Sequence, residues 1–123
     1  VWGLSFKAHT DDIRESAGIE IAQRLHAAGA DLVVYDPQAM ENAKRVLSDH
    51  VEFAGTAMDA ATGADVLVVL TEWPEFREVS FSTLKDRMVE PRIFDGRNHL
   101  ADLHLENQGF QYRGVGLGTY ASA

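Results

Sequence analysis

Three basic residues lie just after apolar runs of the sequence, where the strands of a parallel sheet would end. Lys7 follows the run "VWGLSF", Arg14 lies further along the same loop, and Arg97 follows the run "RIFD". In an open α/β sheet, ligands bind outside the carboxyl ends of the strands, so these charges should meet at one edge. A lysine supplies a compact positive charge and an arginine a planar fork that grips two oxygens. Lys7 and Arg97 therefore suit a phosphate.

Two other interpretations compete with a phosphate site. In the first, each cation is a solvated residue paired with a neighbouring acid, namely Asp11, Asp12 or Asp95. In the second, the edge binds a dinucleotide, because "VVYD" ends in Asp36 where such a fold grips a ribose. A dinucleotide fingerprint needs glycines after the first strand, and the stretch "KAHTDDIRE" has none. Asp36 is therefore predicted to be a turn residue before Pro37.

The other reactive side chains predict neither a catalytic nor a metal site. The chain has no cysteine, which excludes a disulfide, a thiolate zinc site and a cysteine nucleophile within it. The histidines at positions 9, 26, 50, 99 and 104 lack metal-ligand spacing and are predicted to lie at the surface. In "TEWPEF", Trp73 either touches a ligand or anchors a helix that Thr71 caps. The run "GVGLG", residues 114–118, is predicted to be a flexible tail because no helix can open after it.

Strand-like apolar runs alternate with helix-like segments along the whole chain, and this alternation predicts an α/β domain. The expected strands are Val1–Phe6, Asp31–Asp36, Val51–Phe53, Ala64–Thr71, Arg92–Asp95 and Phe110–Gly116. Helices are expected between them, at Glu41–Leu47, Thr56–Thr62 and Phe81–Met88 and, first of all, from Asp12 to Gly29. The expected fold is a three-layer α/β/α sandwich with a mainly parallel, Rossmann-like sheet of five or six strands. Its centre should be the first run and "ADVLVVLT", an unbroken apolar stretch of the kind buried on both faces.

The first helix has the clearest boundaries. Asp12 and the glutamate three residues later resemble a capping box, and Gly29 resembles a left-handed helix end. Apolar residues at helical spacing predict that the inner face of this helix carries Ile21, Leu25 and Ala28.

The composition indicates one globular domain, since the chain has 123 residues of which 46% are hydrophobic. A net charge of −8 with dispersed basic residues argues against nucleic acid as a partner. No long apolar run or leader suggests a membrane span or secretion, so a cytoplasmic location is the expectation. The chain starts within an apolar run, without a methionine, and is expected to be cut from something longer.

Four stretches together resemble a known family. "GLSFKAHTDDIRES", "VVYDP", "VVLTEWPEF" and "IFDGRN", in this order and at these spacings, are similar to the C-terminal domain of the UDP-glucose/GDP-mannose dehydrogenase family. Within that family, "LTEWPEF" is most similar to UDP-glucose 6-dehydrogenases. The family's usual "KPNTDD" stands here as "KAHTDD", which leaves Lys7 and both aspartates in place.

The resemblance implies an enzyme of three parts: an NAD-binding domain, a central helical region and this sugar-nucleotide-binding domain over residues 1–123. Carried over by motif, Phe6, Lys7 and Arg97 would contact UDP-glucose or a related nucleotide sugar. Arg14 would reach across to the NAD held by the first domain. The full-length enzyme is expected to be a homo-oligomer.

The resemblance also implies that this chain alone is inactive. The family's cysteine nucleophile and glycine-rich NAD loop belong to the other two parts, so no catalytic residue is expected here. Two alternatives stay open: a dehydrogenase for UDP-N-acetylmannosamine or GDP-mannose, and a free-standing nucleotide-binding module.

Overall fold

A parallel β-sheet runs through the middle of the domain. The computed structural model describes residues 1–14, 16–47, 49 and 51–116. Within these residues the strands are β1 (Val33–Val34), β2 (Glu52–Phe53), β3 (Leu67–Val69), β4 (Arg92–Asp95) and β5 (Gln111–Gly114). β1 pairs with β2, and β4 pairs with β3 on one side and β5 on the other, in each case parallel.

The first residues of the chain join these two groups of strands. Trp2 forms parallel bridges to both Tyr35 and Val69. Its backbone N–H donates to the carbonyl of Val68 at 2.8 Å, and the N–H of Leu70 donates back to the Trp2 carbonyl at 2.8 Å. The order across the sheet is therefore β2, β1, the N-terminal segment, β3, β4 and β5. This confirms the predicted parallel sheet centred on the first run and "ADVLVVLT".

The first strand is shorter than the predicted Val1–Phe6. Pairing with the neighbouring strands stops after Gly3, whose N–H donates to the carbonyl of Tyr35 at 2.8 Å. The backbone N–H groups of the next two residues, Leu4 and Ser5, bond to a side chain, the carboxylate of Asp36, instead of a strand. A buried N–H needs an acceptor but not necessarily a carbonyl, so an apolar run can leave the sheet without losing hydrogen bonds.

Helices cover the sheet on both faces, as the three-layer prediction required. They are α1 (Ala17–Ala27), α2 (Met40–Lys44), α3 (Ala57–Ala61) and α4 (Phe81–Arg87). Residues of α1 and α2 share one apolar core with Leu4 and Val34. Residues of α3 and α4 share a second core with Trp2, Val69 and Ile93.

The start of α1 differs from the predicted capping box on Asp12. The N-cap is Ser16, whose Oγ accepts from the Ile19 N–H at 3.3 Å. The same hydroxyl donates to the carbonyl of Leu4 at 2.7 Å, which ties the helix start to the sheet. The Asp12 carboxylate instead accepts from the backbone N–H of Arg14 at 2.9 Å, so it closes a local turn before the helix. The expected partner at position 15 lies outside the described residues.

The inner face of α1 is also only partly as predicted. Ile19 and Ala22 are the apolar side chains that α1 buries. Ile21 and Leu25 are half-buried against the same core, whereas Ala28 is exposed. The prediction for Ala28 was wrong because the helix ends at Ala27, just before it.

The last strand lies at the edge of the sheet and is shorter than predicted. Gly114 pairs with Asp95 inside β5, so the predicted flexible tail does not begin there. The part of that tail from residue 117 onward lies outside the described residues.

One face of β4 and β5 is not covered by a described helix. Ile93 and Tyr112 point into a core and are almost fully buried, while Phe94 on the opposite face is 40% exposed. Arg92 and Arg113 lie exposed on the same side as Phe94. Among the described helices, none combines the length and the apolar character that crossing a membrane requires.

Candidate functional site

A buried carboxylate organises the carboxyl edge of the sheet. Asp36 follows β1 and has no exposed surface. Its Oδ2 accepts from the backbone N–H groups of Leu4 at 2.8 Å and Ser5 at 3.0 Å, and from the Ser5 hydroxyl at 3.0 Å. The indole Nε1 of Trp73 donates to the same oxygen at 3.1 Å. Three separate parts of the chain therefore meet at one oxygen atom.

The second oxygen of Asp36 holds a turn. Its Oδ1 accepts from the N–H groups of Gln38 at 2.9 Å and Ala39 at 2.8 Å, just past Pro37. This confirms the prediction of a turn residue. Both oxygens are occupied by donors of the chain itself, so this carboxylate does not fit the ribose-gripping role of a dinucleotide site.

The segment after β3 anchors the same region from the other side. Trp73 is 5% exposed, as expected of an anchor rather than of a ligand-facing ring. Thr71 does not cap a helix as predicted, because the 3₁₀ turn Pro74–Arg77 has Trp73 at its N-cap position. The Thr71 hydroxyl instead donates to the carbonyl of Ser5 at 3.0 Å.

The loop after the N-terminal segment carries two of the predicted ligand contacts. Phe6 is 47% exposed, and its N–H donates to the carbonyl of Asp12 at 2.6 Å, which closes the loop. Lys7 is exposed, and no residue in the described part of the chain bonds to its ammonium group. His9 has a φ of +65°, and its ring lies 5.3 Å from that of Trp73.

A second buried carboxylate fixes the turn that carries Arg97. Asp95 has no exposed surface; its Oδ1 accepts from the backbone N–H of Arg97 at 3.1 Å. Its Oδ2 accepts from the N–H of Leu100 at 2.7 Å and the hydroxyl of Tyr112 at 2.9 Å. Asp95 therefore holds the backbone of the turn and is not the charge partner of the Arg97 side chain.

Glu72 is the charge partner of Arg97, and it was not among the acids expected to pair with the cations. The Arg97 Nε donates to Glu72 Oε1 at 3.2 Å, and Nη2 lies 3.2 Å from the same oxygen. The signal was available, since Glu72 ends the run "VVLTE" and β3 neighbours β4 in the sheet. Both side chains are partly exposed, so the pair leaves the rest of the guanidinium accessible.

Arg14 forms a local ion pair. Its Nη2 lies 2.9 Å from Asp12 Oδ2, and its side chain is 88% exposed. The hydrogen bond from the Arg14 side chain lowers the pKa of Asp12 to about 2. A hollow of about 510 Å³ lies beside this loop, and its lining includes Arg14 and Arg45. Arg14 is therefore a charge paired with a neighbouring aspartate, as the first of the two competing interpretations has it.

Lys7 and Arg97, the two predicted phosphate contacts, lie at the same end of the sheet. Lys7 follows the N-terminal segment and Arg97 follows β4. Both of these segments run parallel to β3, which lies between them, so their carboxyl ends point the same way. A larger hollow, of about 720 Å³, lies at the opposite end of the sheet, by the amino ends of the strands. No lysine or arginine is among its described lining residues, and Asp31 and Asp65 are, so it does not suit a phosphate.

The histidines agree with the surface prediction only in part. His9 and His104 are exposed, whereas His26 and His99 are half-buried. The Nε2 of His99 lies 2.7 Å from the carbonyl of Trp73, so this ring helps to hold the loop after β3. The histidine at position 50 lies outside the described residues. Within the part of the chain that the structure describes, no three acidic or histidine side chains cluster as metal ligands.

A parallel sheet whose loops present basic residues at the carboxyl ends of its strands is typical of α/β nucleotide-binding domains. The chain belongs to the UDP-glucose/GDP-mannose dehydrogenase family, whose UDP binding domain matches residues 1–102. This confirms the predicted family.

The chain is also similar in sequence to individual proteins. The chain is 41% identical over 116 residues to a UDP-glucose 6-dehydrogenase of Rhizobium meliloti (strain 1021), covering 94% of the chain and 26% of the relative. It is 41% identical over 114 residues to the UDP-glucose 6-dehydrogenase YwqF of Bacillus subtilis (strain 168), covering 93% and 26%. The chain thus spans about a quarter of the length of these relatives.

Solved structures share the fold. A UDP-D-ManNAc dehydrogenase from Pyrococcus horikoshii superposes with a TM-score of 0.75 at 27% identity, over 96% of this chain and 25% of that one. A UDP-glucose dehydrogenase from Pyrobaculum islandicum superposes with a TM-score of 0.68 at 34% identity, over 78% and 21%. These similarities confirm the Rossmann-like α/β fold.

Proposed function

We propose that this domain is the sugar-nucleotide-binding part of an NAD-dependent UDP-glucose 6-dehydrogenase, which oxidises UDP-glucose to UDP-glucuronate in two steps. The observation that carries the proposal is the position of Lys7 and Arg97 at the same end of the sheet. Each lies on a loop whose backbone a buried aspartate holds. Relatives with 41% identity that are named UDP-glucose 6-dehydrogenase support the choice of sugar nucleotide.

Each binding residue has a role that its chemistry suits. Lys7 offers a diphosphate oxygen an ammonium group that no described residue bonds, while Arg97 offers the part of its guanidinium that Glu72 leaves open. Phe6 presents a half-exposed ring next to Lys7, and we assign it a contact with the nucleotide sugar. None of these groups transfers a proton or a hydride.

The oxidation itself is assigned to other parts of a longer enzyme. NAD is the hydride acceptor in such a reaction, and the first turn of this domain does not suit NAD binding. Residues 7–15 contain no glycine, and the carboxylate of Asp36 already accepts hydrogen bonds from the chain itself. We propose that Arg14, on its exposed loop, reaches toward NAD held by another domain. The chain has no cysteine to form a covalent intermediate, so by itself it should not reduce NAD. A homo-oligomeric enzyme in the cytoplasm stays a prediction.

Titration of the chain with UDP, followed by NMR, tests the binding role. UDP should shift the backbone amide signals of Phe6, Lys7 and Arg97. A charge-assisted contact contributes about 1.5–3 kcal/mol, so Arg97→Ala should weaken binding roughly tenfold to a hundredfold. Arg97→Lys should restore only part of the affinity.

Arg92→Ala is the matched control, because Arg92 is an exposed arginine at the opposite end of β4. Its affinity for UDP should be unchanged. Equal affinities of the Arg97→Ala and wild-type chains would remove Arg97 from the site.

A second candidate substrate is UDP-N-acetylmannosamine. The Pyrococcus horikoshii protein that shares the fold, with a TM-score of 0.75, is a UDP-D-ManNAc dehydrogenase. Turnover by the longer enzyme with UDP-glucose, UDP-N-acetylmannosamine and GDP-mannose separates the alternatives. The proposal requires the highest kcat/KM with UDP-glucose.

A further inference from the structure

The loop that carries Lys7 begins where the chain leaves the sheet, and its first N–H groups are buried. Leu4 and Ser5 are 0% and 2% exposed, so water cannot satisfy their backbone donors. A buried N–H without an acceptor is costly, and both of these N–H groups bond to one oxygen of Asp36, at 2.8 and 3.0 Å. The direction in which the loop departs is therefore set by this carboxylate.

Trp73 and Thr71 hold Ser5 from the other side of the N-terminal segment, and together with Asp36 they form what we call the clamp on Ser5. Trp73 Nε1 donates to Asp36 Oδ2 at 3.1 Å and to the Ser5 hydroxyl at 3.2 Å. The carbonyl of Ser5 accepts from the Thr71 hydroxyl at 3.0 Å. Ser5 is thus held between the ends of β1 and β3, and its hydrogen-bonding groups are all used.

Lys7 depends on this clamp because little else holds it. Its ammonium group has no bonding partner in the described part of the chain, and the next contact along the loop is the N–H of Phe6 on the carbonyl of Asp12. Only one residue separates Lys7 from Ser5, so the place of Ser5 limits where the backbone of Lys7 can lie.

We infer that Asp36 is a positioning residue for nucleotide binding: its carboxylate sets the place of Phe6 and Lys7 without touching the ligand. The inference rests on the proposed function, in which these two residues contact the nucleotide sugar. It assigns a functional role to an aspartate whose position at the end of β1 first suggested a ribose contact.

The test replaces Asp36 by asparagine, which has the same shape. Its single amide oxygen can accept from only one of the two sets of N–H groups, those of Leu4, Ser5 and Trp73 or those of Gln38 and Ala39, and its NH₂ group then faces the other set. Two donors cannot bond to each other, so in either orientation the link from the turn to Leu4 and Ser5 is broken and Ser5 is held less firmly. We expect hydrogen exchange at the Ser5 amide to accelerate at least about tenfold, and affinity for UDP to fall roughly tenfold.

Tyr35→Phe is the control for a loss of stability alone. Tyr35 precedes Asp36, and its hydroxyl donates to Glu75 Oε2 at 2.8 Å rather than to a group of the clamp. This variant should keep the wild-type exchange rate at Ser5 and the wild-type affinity for UDP. Measurements at a temperature well below the unfolding transition of every variant keep differences in folded fraction out of the comparison.

The outcomes separate the inference from the function on which it rests. If the wild-type chain shows no response to UDP, the proposed function is wrong. If the wild-type chain binds UDP and Asp36→Asn binds it equally well, or if Tyr35→Phe weakens binding as much, only the positioning role is wrong. Should Asp36→Asn fail to fold, Ser5→Ala removes one donor from the same clamp. We then expect about a threefold loss of affinity, and an unchanged affinity overturns the inference.

Discussion

The close approach of Gly3 to Thr71 predicts a large loss of stability when Gly3, which lies just before Leu4 and Ser5, is replaced by alanine. Gly3 has a φ of +106°, and a β-carbon at this position would lie 2.5 Å from both the backbone nitrogen and the hydroxyl oxygen of Thr71. A left-handed backbone costs a residue with a side chain about 1–2 kcal/mol. Forcing an extra methyl group into a packed site costs about 1–3 kcal/mol more. Gly3→Ala should therefore lower the free energy of unfolding by about 2–5 kcal/mol.

Gly29→Ala measures the backbone part of that cost alone, so its difference from Gly3→Ala gives the steric part. Gly29 has a φ of +97°, almost the same as that of Gly3, but a β-carbon there would meet no atom within 4 Å. This variant should lose only about 1–2 kcal/mol. Urea unfolding of both variants, with slopes equal to that of the wild type, measures the difference. If Gly3→Ala costs no more than Gly29→Ala, the contact with Thr71 is not tightly packed and the reasoning fails.

A further prediction concerns the exposed sheet face. Ile93→Ala should cost about 2–5 kcal/mol, since Ile93 is 2% exposed, whereas Phe94→Ala should cost less than half as much because Phe94 is 40% exposed. Equal losses in urea unfolding would mean that the face bearing Phe94 is covered.

The sequence by itself determined the type and order of the elements. Unbroken apolar runs indicated parallel strands, and the observed sheet has them in the expected centre. Gly29 ends the first helix as predicted, with the left-handed φ that the chain needs there. Such features depend on residues a few positions apart, so local spacing is enough to reveal them.

Boundaries were less predictable where two local signals compete. Asp12 and Ser16 are both residues that cap helices, and the local pattern favoured Asp12. The structure uses Ser16, because its hydroxyl also reaches the carbonyl of Leu4 at the end of the N-terminal segment. The second bond exists only once the helix lies against the sheet.

Only the tertiary structure decided which groups of the candidate site meet. Arg97 pairs with Glu72, 25 residues away, and Asp36 collects donors from Ser5 and Trp73, 31 and 37 residues away. Each of these bonds joins loops at the ends of different strands, so it depends on which strands are neighbours and on how far each one extends. The spacing of residues along the chain carries little of that information, because long-range hydrogen bonds form wherever folding brings a buried donor to an acceptor.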